Sequence, residues 1–186
     1  WNGNAETFKQ LAQLNLDTIR SSGAKQVVFS CPEGYHTFKY VYPEYFGDLG
    51  FEPVHILDFL ADKLSQGVVE FKNSEKKIVT YHDPCRLGRL AGIYDAPRKL
   101  IQALSGLEFK EMTRSRENGV CCGTSGWMNC SRCSKDIQMQ RLAEAMDTGA
   151  DTLITACPKC QIHFRCAKAA HPLDIEITDL YDLVAG

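Results

Sequence analysis

Five cysteines fall on three short stretches: Cys85 in "DPCRLGR", Cys121 and Cys122 in "VCCGTSGW", and Cys157 and Cys160 in "ACPKC". Between Cys85 and Cys121 lie 35 residues, and between Cys122 and Cys157 lie 34. The thiolate is the form of cysteine that binds a metal or attacks a disulfide, so this set points to metal or redox chemistry. Five thiolates carry about five negative charges. One zinc ion takes about four ligands, whereas an iron-sulfur cluster spreads thiolates over several metals. The count favours iron and sulfide. It leaves open zinc, and a metal-free dithiol at Cys157–Cys160 or at the second Cys-x-x-Cys, Cys130 and Cys133 in "NCSRC".

Other residue types around these stretches have chemistry to offer. His82 precedes Asp83-Pro84-Cys85 and is the candidate proton donor to a leaving thiolate, because imidazole titrates near neutral pH; stabilising the turn is its alternative role. Asp83 is expected to fix that turn. Gly123 and Gly126 allow close backbone approach and N–H donation to cluster sulfurs. His163 reads as a solvated helix position, Cys166 as a packed thiol, and Trp127 as a packing residue after the Gly-rich loop. Arg86, Arg89 and Arg98 read as exposed arginines within reach of an acidic substrate or partner.

The elements that must position these residues alternate between the strand and helix periods. Residues 7–22 carry Phe8, Leu11, Ala12, Leu16 and Ile19 on one helical stripe, and Gly23 ends it. "KQVVFS" reads as a buried strand, "CPEGYHTFKYVY" as a helix, "FEPVHI" as a strand, and "LDFLADKL" as a helix with Asp58 as N-cap. "KKIVTYHDPC" is a strand ending in Cys85, Pro97 opens the helix "PRKLIQAL", and "LEFKEM" is the next strand. Residues 135–148 form a helix, "TLITA" a strand, "CPKCQIHFRCAKAA" a helix, and "LDIEIT" a strand before a last helix capped by Asp179. This alternation predicts an α/β fold: a Rossmann-like, mostly parallel arrangement with helices on both faces. Cys85 and Cys157 then stand at carboxyl ends of strands, where ligands bind in open parallel sheets. The five thiols precede helices, whose positive N-terminal ends favour thiolate.

The chain repeats itself. A gapless shift of 126 residues lays Trp1 on Trp127, Lys9 on Lys135, Leu16 on Leu142, Gly23-Ala24 on Gly149-Ala150, Cys31-Pro32 on Cys157-Pro158, and Phe38 on Phe164. A five-residue gap then brings "VHILDFL" onto "IEITDLY". Two pseudo-repeats follow, 1–73 and 74–186, the first lacking its N-terminal part. Its counterparts of Asp-Pro-Cys and Cys-Cys-Gly fall before Trp1, which predicts an upstream segment of the same chain. Gly34 stands where Cys160 stands in the second repeat, so Cys31 has lost its Cys-x-x-Cys partner.

Bulk properties exclude several classes. The 186 residues carry a net charge of only -2, which argues against a nucleic-acid footprint. No apolar run approaches the ~20 residues of a membrane span. Nine cysteines clustered late in an otherwise ordinary chain do not resemble a secreted disulfide scaffold. With no basic-then-apolar leader pattern at the start, a reducing, cytoplasmic location is expected.

The string "HDPCRLGR…YDAPR…CCGTSGW…TGADTLITACPKC" resembles the Cys-Cys-Gly cysteine-rich domain of heterodisulfide reductase iron-sulfur subunits. Related domains occur in iron-sulfur subunits of glycolate oxidase, lactate-utilisation proteins and anaerobic glycerol-3-phosphate dehydrogenase. The resemblance extends over most of the chain, through "GAKQVVFSCPEGYHTF" and "HILDFLADKL". It implies an electron-transferring subunit of a larger oxidoreductase complex, acting on a thiol or disulfide or on a partner-bound substrate. It implies Cys85, Cys121, Cys122, Cys157 and Cys160 as ligands of a non-cubane 4Fe-4S cluster, with zinc in some relatives. Expected partners are iron-sulfur, flavin or membrane cytochrome subunits. A zinc-bound docking module of a redox complex is the alternative reading.

Overall fold

The computed structural model describes residues 3–71, 76–123 and 132–185. The chain divides into two compact units, Trp1–Phe59 and Leu60–Gly186. All strand pairs among the described residues are parallel, the arrangement expected of an α/β chain.

The first unit starts with α1 (Ala5–Ser21), whose N-cap Asn4 accepts a hydrogen bond from the Thr7 N–H. Its apolar stripe buries Ala12 and Leu16 against Tyr42, Leu49 and Phe51. Gly23, at φ 72°, turns the chain into β1 (Gln26–Phe29). The expected helix "CPEGYHTFKYVY" forms as one unbroken helical run over 32–46, in which a π-helical turn (Thr37–Val41) joins α2 (Pro32–His36) to α3 (Tyr42–Phe46). Pro43 has no N–H for the carbonyl one turn back, and a wider turn absorbs the loss. β2 (Glu52–His55) pairs with β1, Gln26 opposite Glu52 and Phe29 opposite His55.

α4 (Ile56–Ser65) follows directly and carries the chain into the second unit. Asp58 is not its cap. The His55 ring accepts from the Leu57 N–H through Nδ1 (3.4 Å), and Asp58 lies in the first turn. The second unit holds β3 (Lys77–His82), α5 (Asp95–Ala103), β4 (Leu107–Phe109), α6 (Arg132–Met146), β5 (Thr152–Thr155), α7 (Pro158–Ala170), β6 (Glu176–Asp179) and α8 (Leu180–Val184). β3 stops three residues short of Cys85, because the chain turns at Asp83-Pro84. α5 begins two residues before Pro97.

The four strands lie in the order β4-β3-β5-β6. The chain leaves β3 toward one side and leaves β5 toward the other. Right-handed crossovers therefore set α5 on one face and α6 and α7 on the opposite face. The packing agrees: α6 lies against α7, and α5 against α8. The order reverses between β3 and β5, so a crevice opens at their carboxyl ends, where open α/β sheets bind ligands.

The registers of the two pairs β1–β2 and β5–β6 run alike. Gln26–Phe29 and Thr152–Thr155 are equivalent at the shift of 126. The following strands align at a shift of 124, with His55 on Asp179, so the gap is two residues and not five. Each of these two residues ends a strand and caps a helix through the N–H two positions on.

Candidate metal centre

Cys85, Cys122, Cys157 and Cys160 reach one place by different routes. β3 ends at His82, and Asp83-Pro84 turns the chain so that Cys85 opens the next loop. β5 runs straight into Cys157, the N-cap of α7, with Pro158 at its first turn. Cys160 is one turn further along α7 and is 4% exposed. Cys122 is buried beside them in the same apolar cluster as Leu142, Leu153 and Phe164.

The thiols form two hydrogen-bonded groups. Cys85 is hydrogen-bonded with Cys121, and Cys160 with both Cys122 and Cys157. The bond to Cys121, then burial and the nearby Cys121 and Cys122 sulfurs, push the Cys85 thiol far above its ordinary range. Bonds to Cys122 and Cys157, then burial, do the same to Cys160. Sulfurs this crowded oppose one another's ionisation, and bound cations would remove that opposition.

His82 lies in the same cluster. One of its ring nitrogens and the sulfurs of Cys122 and Cys160 lie within 4.8 Å of one another. Nδ1 accepts from Nε of Arg141 at 3.1 Å, and Nε2 is buried with no hydrogen-bond partner. Burial, then the Arg141 charge, lowers its pKa to about 3, so the ring is neutral at pH 7. Arg141 is fully buried and is held by Glu144 (2.8 Å) and the Arg114 carbonyl (2.8 Å).

Asp83 stays out of the sulfur cluster. Its carboxylate accepts two hydrogen bonds from Arg98 (2.8 and 2.9 Å) and one from the Arg116 N–H (2.8 Å). The other edge of the Arg98 guanidinium is bound by Glu111 (2.8 and 2.7 Å). Arg98 is therefore not an exposed docking residue: it is 5% exposed and ties the turn before Cys85 to α5 and to the segment after β4. Arg89 donates to the Gly119 carbonyl at 2.8 Å.

Gly123 has φ +88°, and a Cβ there would lie 2.5 Å from the Ser134 carbonyl oxygen and 2.6 Å from Gln138 Cγ. The close approach at this glycine is to α6, which seats the Cys121-Cys122 segment against that helix. Gly126, Trp127 and Cys130, with Trp1, lie outside the described residues. Cys133 is exposed on α6. Cys166 differs from its expected packed state, being exposed with its sulfur 3.1 Å from Lys135 Nζ. His163 is half-buried, Nδ1 lying 2.9 Å from Gln138 Nε2. In the first unit Cys31 is exposed, and the rings of Phe29 and Phe38 pack 4.9 Å apart near it.

Arg141 and Glu144 escaped notice in the sequence. The available signal was Gln138 and Arg141 lying on the buried face of α6 with Leu142 and Ala145. Polar residues inside an apolar stripe need buried partners.

The donor set suits a metal group. Five sulfurs exceed the four positions of a tetrahedral ion, and an orphaned buried imidazole nitrogen faces them. Residues 79–165 match the family model described as CCG, a cysteine-rich domain. The chain is 36% identical over 183 residues to a subunit of the dihydromethanophenazine:CoB–CoM heterodisulfide reductase of Methanosarcina barkeri, covering 97% of this chain and 45% of that protein. It is 33% identical over 163 residues to a probable iron-sulfur-binding oxidoreductase, FadF, of Bacillus subtilis, covering 85% of this chain and 22% of the relative. It is 31% identical over 167 residues to the EtfAB:quinone oxidoreductase of Syntrophomonas wolfei, covering 85% of this chain and 23% of the relative. The chain thus spans less than half the length of each of these relatives. Among the described residues, no helix is long and apolar enough to cross a membrane.

Proposed function

We propose that this chain, whose residues 79–165 match the CCG cysteine-rich domain model, is the cluster-holding part of an iron-sulfur redox subunit. The observation that carries the reading is the gathering of Cys85 with Cys121, and of Cys122 and Cys157 with Cys160, at the switch point of the parallel sheet. These five residues hold the cluster, of the non-cubane 4Fe-4S type. When bound, the cluster supplies one-electron chemistry at sulfur-ligated iron. The heterodisulfide reductase subunit and the other redox relatives support this assignment.

The chain's own residues prepare the site. The Arg98–Asp83 pair fixes the turn that presents Cys85, and the start of α7 presents Cys157 and Cys160 at a positive helix end. Leu142, Leu153 and Phe164 exclude water around Cys122 and Cys160, which keeps the thiolate environment apolar. His82 orients an N–H toward the sulfurs.

The electrons go to or come from a thiol or disulfide or a partner-bound substrate. The complex includes an iron-sulfur, flavin or membrane cytochrome subunit and works in the cytoplasm. Residues 74–186 are the complete cysteine-rich repeat, and residues 1–73 are an incomplete one.

The test is spectroscopic. Protein purified without oxygen should be brown and give a reducible cluster signal by electron paramagnetic resonance. Cys122→Ser and Cys157→Ser should each abolish that signal while leaving the far-ultraviolet circular dichroism unchanged. Intact cluster spectra in both variants would defeat the assignment.

A further inference from the structure

We propose that His82 is a hydrogen-bond donor to the cluster sulfurs, locked in its Nε2–H form by Arg141, and that this donor raises the reduction potential of the site. The inference rests on the iron-sulfur reading above.

The argument is one of donor and acceptor count. A guanidinium has only donors. Arg141 Nε points at His82 Nδ1 from 3.1 Å, so Nδ1 must present its lone pair. A neutral imidazole carries one N–H, which is therefore on Nε2. Nε2 is buried with no hydrogen-bond partner, sulfur included, and one ring nitrogen lies within 4.8 Å of the Cys122 and Cys160 sulfurs. The N–H is therefore an unused donor beside these thiols, and the sulfurs of a bound cluster would supply its acceptor.

The same count decides against a competing role. The composition of the cluster, His82 with Cys122 and Cys160, also fits a metal-binding triad. Ligation through Nε2 would need the lone pair there and the proton on Nδ1. That proton would face the Arg141 N–H, donor against donor. Arg141 is not free to withdraw, because Glu144 and the Arg114 carbonyl hold its NH1 edge. The ring is also held from the side, edge-on to Phe164 at 4.9 Å. Arg141 is a positioning residue: among the described residues it makes no hydrogen bond to sulfur, and it acts by fixing which imidazole nitrogen carries hydrogen.

An N–H donated to a cluster sulfur stabilises the reduced, more negative state over the oxidised one. Removing the donor should therefore make reduction harder. The experiment is a redox titration of protein purified without oxygen, followed by electron paramagnetic resonance, on the wild type, His82→Leu and His82→Gln. Iron and sulfide are measured in each. His82→Leu should keep its iron and lower the reduced-to-oxidised ratio at fixed potential about tenfold, a shift of about 59 mV for one electron. His82→Gln retains an N–H near the Nε2 position and should recover most of the shift.

A second readout covers a variant that folds poorly. Wild-type protein exchanged into deuterated water should show an exchangeable deuteron coupled to the cluster, and Arg141→Met should weaken that coupling by freeing the tautomer. A loaded His82→Leu cluster with unchanged potential would overturn the proposal. So would loss of iron in His82→Leu together with strong nitrogen coupling in the wild type, the signature of a ligand. Wild-type protein lacking iron and sulfide would instead overturn the reading on which the proposal rests.

Discussion

Arg98→Met should be the most destabilising single change away from the cysteines. The guanidinium binds Asp83 through both NH groups, and the two side chains are 6% and 3% exposed. Removing Arg98 leaves the Asp83 carboxylate buried with the Arg116 N–H as its remaining hydrogen bond from this network. Breaking a buried ion pair from one side costs about 3–5 kcal/mol. Glu111, whose side chain is 36% exposed, is screened by water and adds about 0–1 kcal/mol. Against a domain stability of about 5–15 kcal/mol, the loss is about a fifth or more. Urea unfolding followed by circular dichroism, at matched iron content, should show a lower midpoint with unchanged slope. Arg98→Met/Asp83→Asn should recover most of the loss, because the uncharged amide still accepts from Arg116. A single-variant cost under about 1 kcal/mol, the range of an exposed pair, would refute the buried-clamp account. So would a double variant no better than the single.

Three further outcomes are expected. Gly123→Ala should cost about 1–3 kcal/mol, the usual penalty for a residue forced into a disfavoured conformation, and should lower iron per chain, since φ is +88° and α6 leaves no room for a Cβ; normal loading and stability would contradict the packing. Burial lowers the His55 pKa to about 4 from 6.5, so the unfolded chain binds the extra proton first. Stability should then fall as pH drops from about 6.5 toward 4, by up to about 1.4 kcal/mol per pH unit, and His55→Gln should flatten that part of a urea-midpoint-against-pH curve. Cys31→Ser, at an exposed position, should leave iron and sulfide per chain unchanged by chemical analysis.

How far the sequence could be read depended on whether a feature was local. The strand at "TLITA" and the helix after Cys157 are specified by short apolar runs and by Pro158 in the first turn, and both form as expected. The five-cysteine pattern needed only the rule that parallel strands end at one edge. Arg98 could not be read in this way. Its burial depends on Asp83, 15 residues earlier, and Glu111, 13 residues later, and no periodicity marks such a pair. Arg141 and His82 are 59 residues apart, and their pairing exists only once α6 is laid beside β3. The cap of α4 misled for a different reason. Asp58 is the common capping type, but the strand register gives that place to His55, which is equivalent to Asp179. The π-helical turn at Thr37–Val41 was signalled by Pro43 and lost among the aromatic residues around it.

The central claim is that five thiols gather to hold iron and sulfide, and its most direct test is chemical. Iron, zinc and acid-labile sulfide should be measured per chain on protein purified without oxygen. The account predicts iron and sulfide in equal amounts, with zinc absent. Zinc bound stoichiometrically without sulfide would contradict it and leave a docking module in place of an electron carrier.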